Sequence, residues 1–285
     1  MDYFKNAKLS EASKKQYTKY IALWLKLGFD TMKQVIDSPV KAMKALEDSG
    51  ASQTPTSRHN YLSAAVAYIL HCVPLDHQPK YRTKWVELQK KNQEPIRERI
   101  DSQEPTEGHK KNAITWDQVL EAREKHPDNL LLAFYSYLPP VRADYNKVYL
   151  LKPGDPIPKG ENYILMDKTY RLVLQEFKTA KTYESIEHNL PEPLKKLLDK
   201  SLKIDPRSYL FVSPATGRPQ SADQFAKWAG INLSKLLEKK TNLTAFRHAY
   251  VQTIDYNQSY KDLKSITNAM GHSVERSILY KLKIS

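Results

Sequence analysis

Cysteine is nearly absent: Cys72 stands alone among 285 residues. A single thiol excludes an internal disulfide and any Cys-rich metal site, so the chain is expected to be made in a reducing compartment. Cys72 lies in the apolar run 64–73 and reads as a small buried hydrophobe. No apolar run approaches the roughly 20 residues that span a bilayer, and the first residues, MDYFKNAKLSEASKK, have no signal-peptide core. A soluble, intracellular protein without a membrane partner is expected. A glycine-rich phosphate loop, a zinc-ligand spacing and a clustered acidic motif for magnesium are missing too. No metal and no cofactor is therefore expected, and any phosphoryl chemistry must take its positive charge from side chains.

What the chain does have is positive charge. Its 45 Lys and Arg against 32 Asp and Glu give a net charge of +13 and a pI of about 9.4, which favours a polyanionic partner. A hydrophobic content of 40% over 285 residues suffices for packed cores and two ordinary domains, expected at 1–105 and 106–285.

Residues 1 to about 100 read as helices only. Ser10 can cap a helix whose apolar positions Tyr17, Ile21, Trp24 and Leu25 recur at helical spacing up to Gly28. Ser38-Pro39 opens a second helix, Thr56 or Ser57 a third that Pro74 ends, and the stretch Asp76 to Pro79 a fourth. The fourth carries Lys80, Arg82, Lys84, Lys90, Lys91, Arg97 and Arg99, a run that is either a solvated face or a contact surface for a polyanionic partner. Arg99 to Lys111 is polar, contains Pro105 and Gly108, and reads as a linker.

Beyond it, Thr115 looks like a helix cap, and the apolar run from Leu130 halts at Leu138-Pro139-Pro140, leaving Arg142 presented just past the break. Lys147 to Leu151, Tyr163 to Met166, Tyr170 to Phe177 and Tyr183 to His188 are β-prone and predict a small antiparallel sheet. Helices follow over Pro191 to Leu202 and from Ser221 on. Near the end, Arg247-His248 sits in a helical run, Gly271-His272 interrupts the next, and Tyr280 follows. An arginine to hold a phosphate, a ring donor and a tyrosine hydroxyl form a set that could break a phosphodiester through a protein-phosphate ester.

The pieces Thr244-Ala245-Phe246-Arg247-His248, Met270-Gly271-His272 and Ile278-Leu279-Tyr280 resemble the C-terminal part of tyrosine recombinases of the phage integrase family. There His-x-x-Arg-His is followed by Leu-Gly-His and the nucleophilic tyrosine; here Thr244 stands at the first histidine. The resemblance implies a mainly α fold with a small antiparallel sheet, an α-helical core-binding domain followed by an α+β catalytic domain. It implies Arg142, Lys178, Arg247, His272 and Tyr280 as catalytic residues, with Thr244 a possible phosphate contact. Lys178 is preferred as the general acid of the strand hairpin, and Lys181 is the alternative. The implied function is a site-specific recombinase or integrase that cleaves and rejoins DNA through a 3'-phosphotyrosyl intermediate, acting as a tetramer on paired double-stranded DNA sites. A type IB topoisomerase and a catalytically silent DNA-binding relative are the other readings; the small helical first domain favours the recombinase over the topoisomerase.

Overall fold

The computed structural model describes residues 3–183 and 185–280, without the side chains of Lys181, Tyr183, Arg276 and Leu279. The chain divides into two compact units, Met1–Ser102 and Gln103–Ser285. No helix among the described residues is long and apolar enough to cross a membrane.

The first unit is all helix: α1 Glu11–Lys26, α2 Met32–Asp37, α3 Pro39–Asp48, α4 Pro55–Cys72 and α5 Gln78–Asp101. Ser10 caps α1 by accepting from Ser13 N, and Thr54 and Ser57 form a capping box at the start of α4. Four helices were expected, and α2 is an addition. It is too short to show a period, yet Thr31 caps it and Met32, Val35 and Ile36 are buried on one side. The core centres on Trp24 and Trp85, whose rings meet edge-on at 5.8 Å. Both are fully buried, and their indole N–H groups donate to Ala42 O and Ile36 O at 3.2 Å, which satisfies the one polar atom each carries inward. Cys72 packs against this core and its Sγ donates to Tyr3 O. On α5, Gln78, Tyr81, Trp85 and Asn92 face inward. That register turns Lys80, Arg82, Lys84, Lys90, Lys91 and Arg97 to solvent and leaves Arg99 half-buried.

The second unit begins with α6 Glu107–Asn112, inside the stretch that reads as a linker. With no apolar period it is held by the Thr106 cap and by the ring of His109 packing 4.9 Å from that of His248. Then come α7 Trp116–Lys125, α8 Leu130–Tyr137, β1 Val148–Leu151, β2 Asn162–Leu165, β3 Arg171–Leu174, α9 Ala180–Tyr183 and β4 Ile186–Asn189. The chain continues through α10 Glu192–Ile204, α11 Ala222–Leu236, α12 Leu243–Gln252, α13 Tyr260–Asn268 and α14 Val274–Tyr280.

The sheet runs in the order β1-β2-β3-β4. It is mixed, not antiparallel: β1 pairs parallel with β2, Val148 opposite Asn162, while β2–β3 and β3–β4 are antiparallel. The reversal lies in residues 152–161, where Asp155 ties a turn to Lys152 N and the proline-rich chain returns before pairing. The expected third strand stops at Leu174, and α9 fills the connection before β4. The other edge of β1 is bridged by Tyr209. Phe134, Tyr135, Tyr145 and Phe246 meet edge-on in the core, so α8 and α12 are clamped on the segment that carries Arg142.

Candidate active site

α12 is capped by Asn242, whose Oδ1 accepts from Ala245 N, and its middle is buried on nearly every side. Arg247 is only 3% exposed, so its charge is held inside the protein. It makes two contacts there: Nη2 donates to Met270 O at 3.3 Å and hydrogen-bonds His272 Nε2. Since a guanidinium can only donate, His272 Nε2 accepts.

His272 is placed by the end of α13. Gly271 adopts φ +64, a left-handed conformation. Gly271 N donates to Asn268 O and His272 N to Thr267 O, a Schellman closure that stops α13 and aims His272 at α12. α14 starts two residues later and delivers Tyr280. The Tyr280 ring stacks on His272 at 4.7 Å and 23°, meets His248 edge-on at 4.6 Å, and lies 5.7 Å from the Arg247 guanidinium carbon.

Arg142 comes from the turn after α8. Tyr135 Oη donates to its carbonyl at 2.6 Å, and its N–H donates to Asp144 Oδ2 at 3.0 Å. Its charge reaches Arg247, whose pKa falls to about 10, through burial first and the like charge of Arg142 second; Tyr280, Asp144 and Tyr135 oppose the fall. Arg247 thus stays charged at neutral pH. Burial raises the Asp144 pKa, against the pull of Arg142 and Arg247. His248 is driven down to about 4 by burial, with His109 and Arg247 adding to the fall and the Tyr280 carbonyl opposing it. It is neutral at physiological pH.

Lys178 is exposed in the β3–β4 connection, but its neighbours are docked. Thr179 Oγ1 donates to Gly271 O at 3.0 Å, and Phe177 lies against Gly271 so closely that an added Cβ would stand 3.2 Å from its ring. β4 makes a parallel attachment, with His188 Nε2 at 3.4 Å from Ala269 O. The hairpin carrying Lys178 is thereby seated beside His272. Lys181 belongs to α9, but its side chain lies outside the described residues. Thr244 is exposed and lines a cavity of about 270 Å³ together with His109 and His248.

Arg247, His272 and Tyr280 are therefore brought together, the charge of Arg142 acts on Arg247, the hairpin of Lys178 is anchored at Gly271, and Thr244 opens on the cavity beside His248. The basic residues of α5 belong to the other unit. Sequence reasoning missed two supports. Buried Asn162 donates to Asp144 O and Glu176 O and accepts from Gln175 N and Glu176 N, tying the Arg142 turn to the strand that leads to Lys178. His109 backs His248. An asparagine at the edge of a β-prone run was the one available signal. Among the described residues no group of three or more His, Cys, Asp or Glu could hold a metal ion. A guanidinium and an imidazole against a tyrosine ring, with a second arginine whose charge reaches the first, suit an anion that gains charge during reaction, such as a phosphodiester.

No family model and no curated protein sequence matches the chain. Solved structures do. The Tn1549 transposon integrase in complex with transposon right end DNA is similar at 13% identity and a TM-score of 0.58, over 98% of this chain and 92% of that one. The same integrase in complex with a circular intermediate DNA gives 12% and 0.55, over 96% and 90%. XerA recombinase gives 16% and 0.43, over 98% and 89%. The likeness to the Tn1549 integrase is one of fold: this chain has the tyrosine recombinase fold, a helical unit followed by an α+β unit with a small sheet.

Proposed function

We propose that this protein is a site-specific DNA recombinase or integrase that cleaves and rejoins strands through a 3'-phosphotyrosyl intermediate at Tyr280. The observation that supports this reading is the Tyr280 ring lying against His272 and the Arg247 guanidinium, with the charge of Arg142 acting on Arg247, within a fold shared with an integrase solved on DNA. Arg142 and Arg247 bind the nonbridging oxygens of the scissile phosphate, where the transition state gathers charge. Tyr280 Oη attacks phosphorus and releases its proton to water as the bond to the 5' oxygen breaks, and Lys178 protonates that oxygen as it leaves. Rejoining reverses these steps, and the energy kept in the ester removes any need for a nucleotide. The outward basic face of α5 grips duplex phosphates without reading bases. Assembly is as a tetramer on paired sites, inside the cell where the target DNA is.

A second reading, a silent DNA-binding relative, has one observation in its favour: Thr244, at the position of the family's histidine, carries no charge and faces the cavity instead. A suicide DNA substrate separates the two. Wild-type protein should form a denaturation-resistant adduct without magnesium, Tyr280→Phe should bind DNA but form none, and Thr244→His should speed the reaction. Absence of an adduct in both wild type and Thr244→His removes the enzymatic reading.

A further inference from the structure

The last turn of α14 is held by its backbone. Within the second unit, Gln103 Nε2 donates to Ile278 O at 3.2 Å, and Gln103 takes the left-handed φ of +58, which costs a side-chain-bearing residue about 1 kcal/mol. Two residues on, Tyr280 O accepts from His248 Nδ1 at 2.9 Å, and the His248 ring rests edge-on against the Tyr280 ring. His248 is in turn backed by His109 on α6.

From this geometry we infer that Gln103 and His248, the latter braced by His109, are positioning residues that latch Tyr280 by its backbone. The inference rests on the recombinase reading but concerns residues that reading does not use. Neither side chain reaches the phosphate in this role. Each fixes where the phenol stands relative to Arg247 and His272, and a nucleophile displaced by about 1 Å can lose on the order of 10²-fold in rate. The latch also puts both ends of the second unit in one device: α6 and Gln103 come from its start and α14 from its end. Because a carbonyl needs only a donor, an asparagine amide at position 248 can replace Nδ1, whereas alanine cannot.

The test uses the full chain with Gln103→Ala, His248→Ala and His248→Asn. Hydrogen exchange by mass spectrometry is read over residues 274–280, beside DNA affinity and adduct formation on a suicide substrate. In the alanine variants, exchange over 274–280 should speed about tenfold. Adduct formation should slow by 10- to 100-fold with DNA affinity unchanged, and His248→Asn should restore both readouts. Gln103 lies half-buried outside the core, so its variant reports even if His248→Ala folds poorly. Unchanged exchange over 274–280 in Gln103→Ala and His248→Ala overturns the latch. If wild type forms no adduct, the recombinase reading fails, while the exchange result still decides whether Tyr280 is held in this way.

Discussion

Replacing Gly271 by alanine should damage stability and site together, and by an amount that can be worked out. Two costs add. The residue has φ +64, where a Cβ costs about 1 kcal/mol. That Cβ would also stand 3.2 Å from Phe177 Cε2 and 3.2 Å from Thr179 Oγ1, so the hairpin must retreat, an overpacking cost of about 1–3 kcal/mol. Gly217 provides the control: it has the same φ of +64 but nothing within 4 Å of the added Cβ, so Gly217→Ala bears only the first cost. At about 2–4 °C per kcal/mol for a domain of 150–250 residues, Gly217→Ala should lower Tm by roughly 3 °C and Gly271→Ala by roughly 10 °C. Differential scanning fluorimetry on the two variants measures the difference, which isolates the contact with Phe177 and Thr179. Because that contact seats the Lys178 hairpin beside His272, Gly271→Ala should also slow adduct formation by about 10² while Gly217→Ala does not. Equal Tm shifts in the two variants would refute the reasoning, since the hairpin would then not be pressed on the turn.

Other consequences can be checked separately. Lys178→Ala should slow cleavage of ordinary DNA yet spare a substrate with a 5'-thiol leaving group, which needs no acid; if Lys181→Ala is the variant so rescued, the acid is Lys181. Asn162→Ala removes the four hydrogen bonds that this buried side chain makes to Asp144, Gln175 and Glu176 and should cost about 3 kcal/mol in urea unfolding, an estimate that a loss below about 1 kcal/mol would contradict. His248 is neutral when folded down to about pH 4 but protonates near 6.5 when unfolded. The unfolded chain therefore binds the extra proton between those values. Stability from this group is fully present above about pH 7 and declines by up to about 3 kcal/mol as pH falls to 4. Urea midpoints for wild type and His248→Asn should thus converge on acidification, with Arg247, His109 and Tyr280 unchanged around the site.

Some helix starts were legible from their caps: Ser10, Thr115 and Ser221 each accept from the backbone three residues on, whereas Thr31 and Thr106 do the same for helices of six residues that show no period. Arg247, Gly271-His272 and Tyr280 were legible because a helix, its left-handed stop and the next helix follow each other along the chain. What lay hidden depends on distant partners. α6 has no apolar period and exists through His109 meeting His248, and the parallel direction of β2 is decided by the path of 152–161. Asn162, one residue before the expected strand Tyr163 to Met166, gave no sign of its partners, because Asp144, Gln175 and Glu176 are its neighbours only after the sheet forms.

The attachments around Tyr280 span long stretches of chain: Thr179 to Gly271 covers 92 positions and Gln103 to Ile278 covers 175. Closing such loops costs entropy before any contact rewards it, so the cluster is expected among the last parts to form during folding. During synthesis, Arg142 and Arg247 leave the ribosome before Tyr280. Under the proposed function, a growing chain folds its helical first unit before its nucleophile exists.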